Sequence, residues 1–122
     1  NPGNIEITGD VWVGQVANGR EKRYVTFSDP LYGIRAIYRV LYSYSRRGVY
    51  RLDEIIATWA PNTENNTTAY INHVAERLAV APDAQMTRDW WPALAAAITL
   101  HENGQNPYLD ELFAQALEIS GV

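Results

Sequence analysis

The sequence predicts a predominantly helical α+β fold, in which an N-terminal β-hairpin is followed by about five helices in a single domain over residues 1–122. Two observations support this fold class. An Asn-Gly pair lies between two stretches of alternating apolar residues, which is typical of a hairpin turn. Further along, apolar residues recur at helical spacing in successive stretches joined by short connections, as expected for one compact unit.

The predicted hairpin lies near the N-terminus. Apolar residues alternate over 11–16, Asn18-Gly19 favours the left-handed geometry of a tight turn, and the return strand covers 24–27. Two strands alone are marginally stable in water, so we expect the hairpin to pack against the helices.

The first two predicted helices have clear boundaries. Asp29 suits the N-cap of the first helix, Pro30 suits its first position, and Gly48 follows its basic last turn. The second helix covers Leu52 to Trp59. It ends there because Pro61 biases the preceding residue away from helical geometry.

The remaining three helices are predicted from similar signals. The third begins near Asn62 or Thr63, and Thr87 caps the fourth. The fourth is apolar around much of its circumference, so we expect it to be central. Asn106-Pro107 repeats the pattern of a cap followed by proline and opens the last helix.

Composition excludes several classes of protein and partner. The chain has no cysteine and two histidines, so disulfides and thiolate metal sites are excluded and we expect no metal or cofactor. No apolar run reaches the ~18 residues of a membrane span, which predicts a soluble chain. The net charge is −4, and residues 1–51 carry eight of the ten basic residues. Because the body is acidic, we expect no nucleic acid partner.

A polar segment between two apolar helical patterns stands out as a possible site. Residues 62–68 place seven polar side chains around one predicted helix N-terminus, where a single capping oxygen would be enough. Free backbone N–H groups there would offer donors to a hydroxyl-rich or anionic ligand. The alternative interpretation is a surface turn with more capping groups than it needs.

Five motifs occur in one order: Asn1-Pro2-Gly3-Asn4-Ile5, Trp12-x-Gly14, Phe27-Ser28-Asp29-Pro30-x-x-Gly33-Ile34-Arg35-Ala36, the block from Trp59 to Ile71, and His101-Glu102-Asn103-Gly104. With these motifs the chain closely resembles the tailed-phage and prophage virion proteins often labelled "structural protein", which carry the Asn-Pro-Gly-Asn-Ile opening. The resemblance covers most of the 122 residues. It implies a place in the virion, with other virion subunits as partners.

A more distant resemblance is to lysozyme-like peptidoglycan hydrolases, especially bacterial glucosaminidases. It rests on the asparagine-rich opening, the Trp-x-Gly hairpin and the helix that follows. It implies a lysozyme-like fold, peptidoglycan or another cell-wall glycan as partner, and action in the periplasm. In those enzymes the catalytic glutamate ends a helix before the hairpin. Here Glu102 ends a late helix, so the resemblance implies a circular permutation.

Candidate site residues follow from these patterns. Glu102 is the candidate general acid, because glycoside hydrolysis needs a carboxyl group to protonate the leaving oxygen, and Glu64 is the candidate second carboxylate. The alternatives are that Glu102 faces solvent or binds the N-terminal segment structurally, and that Glu64 belongs to a cap. Candidate substrate-binding residues are Asn4, Trp59, Asn65, Asn66, Thr67 and Tyr70.

Three functions stay open from the sequence. The first is a virion-associated domain that recognises peptidoglycan glycan strands, with or without cleaving them. The second is a non-catalytic structural virion protein that makes subunit contacts and passes through the bacterial cytoplasm before assembly. The third is a toxin or effector domain secreted against competing bacteria.

Overall fold

Helices dominate the fold, as predicted. The computed structural model of the chain describes residues 1–17, 23–62 and 66–122. Within these ranges the chain forms five α-helices and one short 3-10 turn at Arg88–Trp90. The helices are α1 (Pro30–Arg46), α2 (Leu52–Trp59), α3 (Thr67–Leu78), α4 (Trp91–Asn103) and α5 (Asp110–Ser120).

The boundaries of α1 and α2 agree with the sequence signals. The Asp29 carboxylate accepts a hydrogen bond of 2.8 Å from the backbone N–H of Leu31, so one of the free donors at the start of α1 is satisfied. α1 ends before the left-handed Gly48. α2 ends at Trp59, two residues before Pro61, as the restriction on residues preceding proline requires.

The predicted starts of α3 and α4 were wrong. α3 begins after Asn66 rather than near Asn62 or Thr63, and residues 63–65 lie outside the described ranges. Thr87 occupies the N-cap position of the 3-10 turn without a side-chain hydrogen bond, and α4 follows that turn directly at Trp91. Pro92 falls in the first turn of α4, where its missing N–H removes no helical bond.

The predicted start of α5 was also wrong. The side chain of Asn106 accepts a hydrogen bond of 3.2 Å from the backbone N–H of Tyr108 and closes a local turn instead of capping a helix. α5 then begins at Asp110. Asparagine side chains satisfy backbone donors in turns as readily as at helix starts, so the residue type did not distinguish the two.

A regular N-terminal hairpin is not confirmed. Within the described residues this region has two isolated antiparallel bridges, Glu6 to Tyr24 and Gln15 to Phe27, and no continuous strand. The predicted turn at Asn18-Gly19 lies outside the described residues. Val11 is 88% exposed, so the first predicted strand does not place its valines in the core.

The core lies around α4, which confirms the prediction that this helix is central. α4 packs against α1, α3 and α5. Leu94 and Ile98 are fully buried, and the buried Thr99 satisfies its hydroxyl by donating to the backbone oxygen of Ala95. Because neighbours cover α4 on several sides, its apolar residues need not form a single stripe.

A buried hydrogen bond joins α1 to α5. The Tyr38 hydroxyl donates to the backbone oxygen of Phe113 over 2.8 Å, and both side chains are buried. Burial raises the pKa of the Tyr38 phenol above its ordinary value, so the hydroxyl keeps its proton and remains a donor.

The N-terminal segment, residues 1–5, packs on the helices through two glycines. A Cβ on Gly33 of α1 would lie 2.4 Å from Cδ of Pro2, and a Cβ on Gly3 would lie 2.9 Å from the Ile37 side chain. The Asn1 side-chain amide donates to the backbone oxygens of Ile5 and Val25. The segment is therefore held against α1 and turned toward the end of α4.

No helix in the described ranges is long and apolar enough to cross a membrane.

Candidate functional site

A groove of about 390 Å³ lies between the N-terminal region and the helices. Its walls come from four parts of the chain: the N-terminal residues 3–12 with Arg23 and Tyr24, α1, the end of α2, and the end of α4. The side chains most relevant to ligand binding are Asn4, Trp12, Tyr24, Trp59 and Glu102.

Glu102 contributes the carboxylate at the end of α4, and both of its oxygens have hydrogen-bond donors. Oε2 accepts from the Tyr70 hydroxyl over 2.8 Å, and Oε1 accepts from the Asn4 amide over 3.4 Å. The same Asn4 amide donates to the backbone oxygen of Glu102 over 3.3 Å. Glu102 thus joins α3 to the N-terminal segment, which is the structural role considered from the sequence.

Asn4 is held in an uncommon backbone conformation beside this carboxylate. Its φ is +49°, a left-handed value that asparagine tolerates better than most non-glycine residues. Next to it, the Asn103 side-chain amide donates to the backbone oxygen of Pro2 over 2.8 Å. The N-terminal segment is therefore anchored to the last turn of α4 from two sides.

Tyr70 is the buried hydrogen-bond donor to Glu102. Its side chain is 1% exposed, and burial raises the pKa of the phenol, with the negative charge of Glu102 acting in the same direction. A hydrogen bond from Trp59 to the phenol has the opposite, smaller effect on that pKa. The Tyr70 hydroxyl therefore keeps its proton and donates to the carboxylate.

Two histidines meet next to this tyrosine. The Nδ1 atoms of His73 and His101 lie 2.8 Å apart, and the His101 ring stacks on Tyr70 with centroids separated by 3.6 Å. Burial lowers the pKa of His101, the nearby His73 lowers it further, and Glu102 acts in the opposite direction. His101 pairs with His73 rather than with its neighbour in sequence, Glu102.

The structure brings together only part of the candidate set derived from the sequence. Asn4, Trp59 and Glu102 line the groove, and Tyr70 binds Glu102. Asn66 and Thr67 do not line it. Glu64 and Asn65 lie outside the described residues, so their roles stay predictions.

Asn66 and Thr67 have structural tasks at the start of α3. The Asn66 side chain accepts from the backbone N–H of Ala69 over 3.1 Å, which makes it the N-cap. The buried Thr67 hydroxyl donates to the backbone oxygen of Ala60 over 2.6 Å and ties α3 to the end of α2. These bonds give both side chains a structural role, and neither side chain lines the groove.

We expect Asn66→Ala to lower the free energy of unfolding by about 1 kcal/mol, because α3 loses its capping oxygen. Asn66→Asp keeps an acceptor at the same place and serves as the matched control. Urea unfolding followed by circular dichroism measures both. A destabilisation of equal size in the two variants would contradict the capping role.

Sequence reasoning missed two acidic residues of the groove, Glu6 and Asp10. Glu6 forms an ion pair with Arg23, with oxygen and nitrogen 2.8 Å apart. Asp10 is exposed, and its backbone N–H donates to the Thr8 hydroxyl over 3.2 Å. The available signal was that both acidic residues precede the first basic residue of the chain, Arg20.

The described residues contain no group of three His, Cys, Asp or Glu side chains that could hold a metal ion. The groove offers carboxylate, amide, phenol, indole and guanidinium groups, whereas the two imidazoles do not line it.

No family model matches the chain. It is 36% identical over 112 residues to "Protein P5" of Pseudoalteromonas phage PM2, and the matched region covers 88% of this chain and 70% of that protein. The predicted resemblance to phage proteins is confirmed at this level, whereas the likeness to lysozyme is not shown. The chain belongs to the family of Protein P5 of phage PM2.

Proposed function

We propose that this protein is a component of a phage particle and that the groove beside Glu102 binds a strand of peptidoglycan or another cell-wall glycan. Family membership supports the phage part of this proposal. The observation that carries the glycan part is the groove itself, in which Asn4, Trp59 and Glu102 meet from widely separated places in the sequence.

The groove has the surface chemistry of a sugar site. A pyranose ring presents flat C–H faces and hydroxyl edges, so it fits rings such as those of Trp12, Tyr24 and Trp59. Asn4 and Asp10 add polar groups to the same walls. A volume of about 390 Å³ is within the range of small-molecule sites, and the groove is partly open, which suits a chain that continues beyond it.

Cleavage of the bound glycan is the finer part of the proposal. Glu102 would take up a proton from solvent and give it to the leaving glycosidic oxygen as the glycosidic C–O bond breaks, while a second carboxylate or a positioned water forms the new bond on the other face of the sugar. To do so Glu102 must exchange one of its present hydrogen bonds for the substrate. The 3.4 Å contact with Asn4 is longer than the 2.8 Å contact with Tyr70, so we expect Asn4 to yield.

The second carboxylate is the Glu64 of the sequence prediction or one of the two acidic residues of the groove. Glu6 is already paired with Arg23. A lysozyme-like, circularly permuted fold belongs to this same proposal. It is supported by the position of Glu102 in the last turn of α4, after the N-terminal region rather than before it.

A structural virion role without turnover is the second candidate. Two observations favour it: both oxygens of Glu102 are engaged in holding the molecule together, and Val11 and Val13 are exposed where another subunit could cover them. The family relationship supports this role better than it supports binding or cleavage of a glycan.

Purified protein incubated with peptidoglycan tests these functions. We expect the protein to pellet with cell walls and to release soluble muropeptides. Glu102→Gln should abolish release, because an amide cannot supply the proton. Glu111→Gln, at an exposed position of α5, is the matched control and should behave as the unmodified protein.

Binding is tested separately from cleavage. We expect Trp12→Ala to weaken pelleting about tenfold, equivalent to 1.4 kcal/mol, since it removes an aromatic wall of the groove. Pelleting without muropeptide release favours a binding role. Pelleting unaffected by Trp12→Ala would contradict binding in the groove, and neither pelleting nor release in the unmodified protein would leave the structural role.

A further inference from the structure

The two histidines between α3 and α4 have a geometry that a shared proton explains. The Nδ1 atoms of His73 and His101 are 2.8 Å apart and the ring centroids are 5.0 Å apart. The centroid distance is close to the nitrogen separation plus the two distances from ring centre to nitrogen. The two nitrogens therefore point directly at each other, as in an N–H···N hydrogen bond.

A metal ion does not fit this arrangement. An ion on the line between two imidazole nitrogens needs about 2 Å on each side, hence a nitrogen separation of about 4 Å. One proton fits: one ring donates its N–H and the other accepts with its lone pair. When both rings are charged, two N–H groups face each other and the bond must break.

The groups around the pair are few. α3 contributes His73 and the phenol of Tyr70, and α4 contributes His101 and the carboxylate of Glu102. The N-terminal segment contributes Asn4, which is uncharged. One turn further along α3, Glu76 and Arg77 are exposed, and no bond between them and the histidines is found in the described residues.

The pair is connected to the groove by direct contacts. His101 stacks on Tyr70, Tyr70 donates to Glu102, and Glu102 accepts from Asn4. Loss of the contact between His73 and His101 removes one of the links that hold α3 beside α4 at this place. Tyr70, which donates to Glu102, stacks on His101, one of the two rings in that contact.

We propose that His73 and His101 form an acid-sensitive latch that keeps Tyr70 on Glu102 and so holds the N-terminal wall of the groove. Its consequence for glycan binding rests on the proposed function, whereas the latch itself does not.

The direction of the pH effect follows from linkage. A histidine whose pKa is lowered on folding binds fewer protons in the folded state than in the unfolded state. The pKa of His101 is lowered by burial and by His73. The stability contributed by the latch is therefore complete above the ordinary histidine pKa and is lost as the pH falls below it toward the folded value.

The latch is tested by NMR titration of the histidines and by urea unfolding between pH 8 and pH 5. In the unmodified protein we expect His101 to titrate below its ordinary pKa and the urea midpoint to fall on acidification. In His73→Gln we expect His101 to titrate in one step nearer its ordinary pKa, with a smaller fall in the midpoint. Asn72→Gln, an exposed neighbour on α3, is the matched control.

Coupling to the groove is tested by hydrogen exchange in residues 1–5, which needs no glycan. After correction for the intrinsic pH dependence of amide exchange, we expect protection of residues 1–5 to be several-fold lower at pH 5 than at pH 7.5 in the unmodified protein and to change little with pH in His73→Gln. The same pH dependence in both proteins would overturn the latch, even where glycan binding holds. Absence of glycan binding at every pH, with the exchange difference present, would contradict the proposed function and support the latch.

Discussion

Gly33→Ala should detach the N-terminal segment from α1 and thereby remove one wall of the groove. The added Cβ would lie 2.4 Å from Cδ of Pro2, and a proline ring cannot rotate away as a flexible side chain can. Helix propensity alone predicts that Gly33→Ala raises the free energy of unfolding, because alanine in a helix interior is about 1 kcal/mol more favourable than glycine. The clash with Pro2 typically costs about 1–3 kcal/mol, and we expect it to undock residues 1–5 from α1 despite the gain in helix propensity.

Hydrogen exchange separates these two effects. Residues 1–5 should lose protection in Gly33→Ala and binding to cell walls should disappear, while the helical body keeps its stability or gains slightly. Gly9→Ala is the matched control, since nothing lies within 4 Å of a Cβ placed there. Full protection of residues 1–5 in Gly33→Ala would show that the contact between Pro2 and Gly33 is not required for docking.

Phe113→Ala is expected to cause the largest loss of stability, about 3–5 kcal/mol, because it leaves a cavity beneath α5. The Phe113 ring is 2% exposed and packs in the main core, with the Tyr108 ring edge-on at a centroid distance of 6.5 Å. Its backbone oxygen accepts the buried hydrogen bond from Tyr38. The loss therefore affects the contact between α1 and α5 directly.

Urea unfolding measures this loss, with Gln115→Ala as the control at an exposed position of the same helix. Both substitutions introduce the same residue into α5, so the difference between them isolates the buried ring. A difference below about 1 kcal/mol would mean that the site collapses around the missing ring, contrary to the close packing of protein cores.

How far the fold was predictable depends on the kind of signal. Asp29-Pro30 and Pro61 act on their own backbone neighbours, so the bounds of α1 and α2 could be predicted. Thr87 and Asn106 have side chains that suit a turn as well as a cap. Which backbone group such a side chain meets depends on packing beyond the local sequence.

The candidate site was predictable to a smaller extent. The place of Glu102 at the end of α4 could be derived from the apolar pattern before it and Gly104 after it. Its donors, Tyr70 and Asn4, are 32 and 98 residues away in sequence, and no local pattern indicates either contact. The bond between His73 and His101 spans 28 residues, and no local pattern in the sequence indicates it either.

The sequence by itself determined the order and nature of the helices, the central place of α4 and the relationship to phage proteins. These depend on side-chain periodicity and on motifs that lie within short stretches of chain. Only the tertiary structure decided which polar groups share the groove, because Asn4, Trp59 and Glu102 become neighbours once the N-terminal segment packs against α1 and reaches the end of α4. Contacts between such distant residues arise from how the helices fill the core, and a one-dimensional pattern carries no distance of that kind.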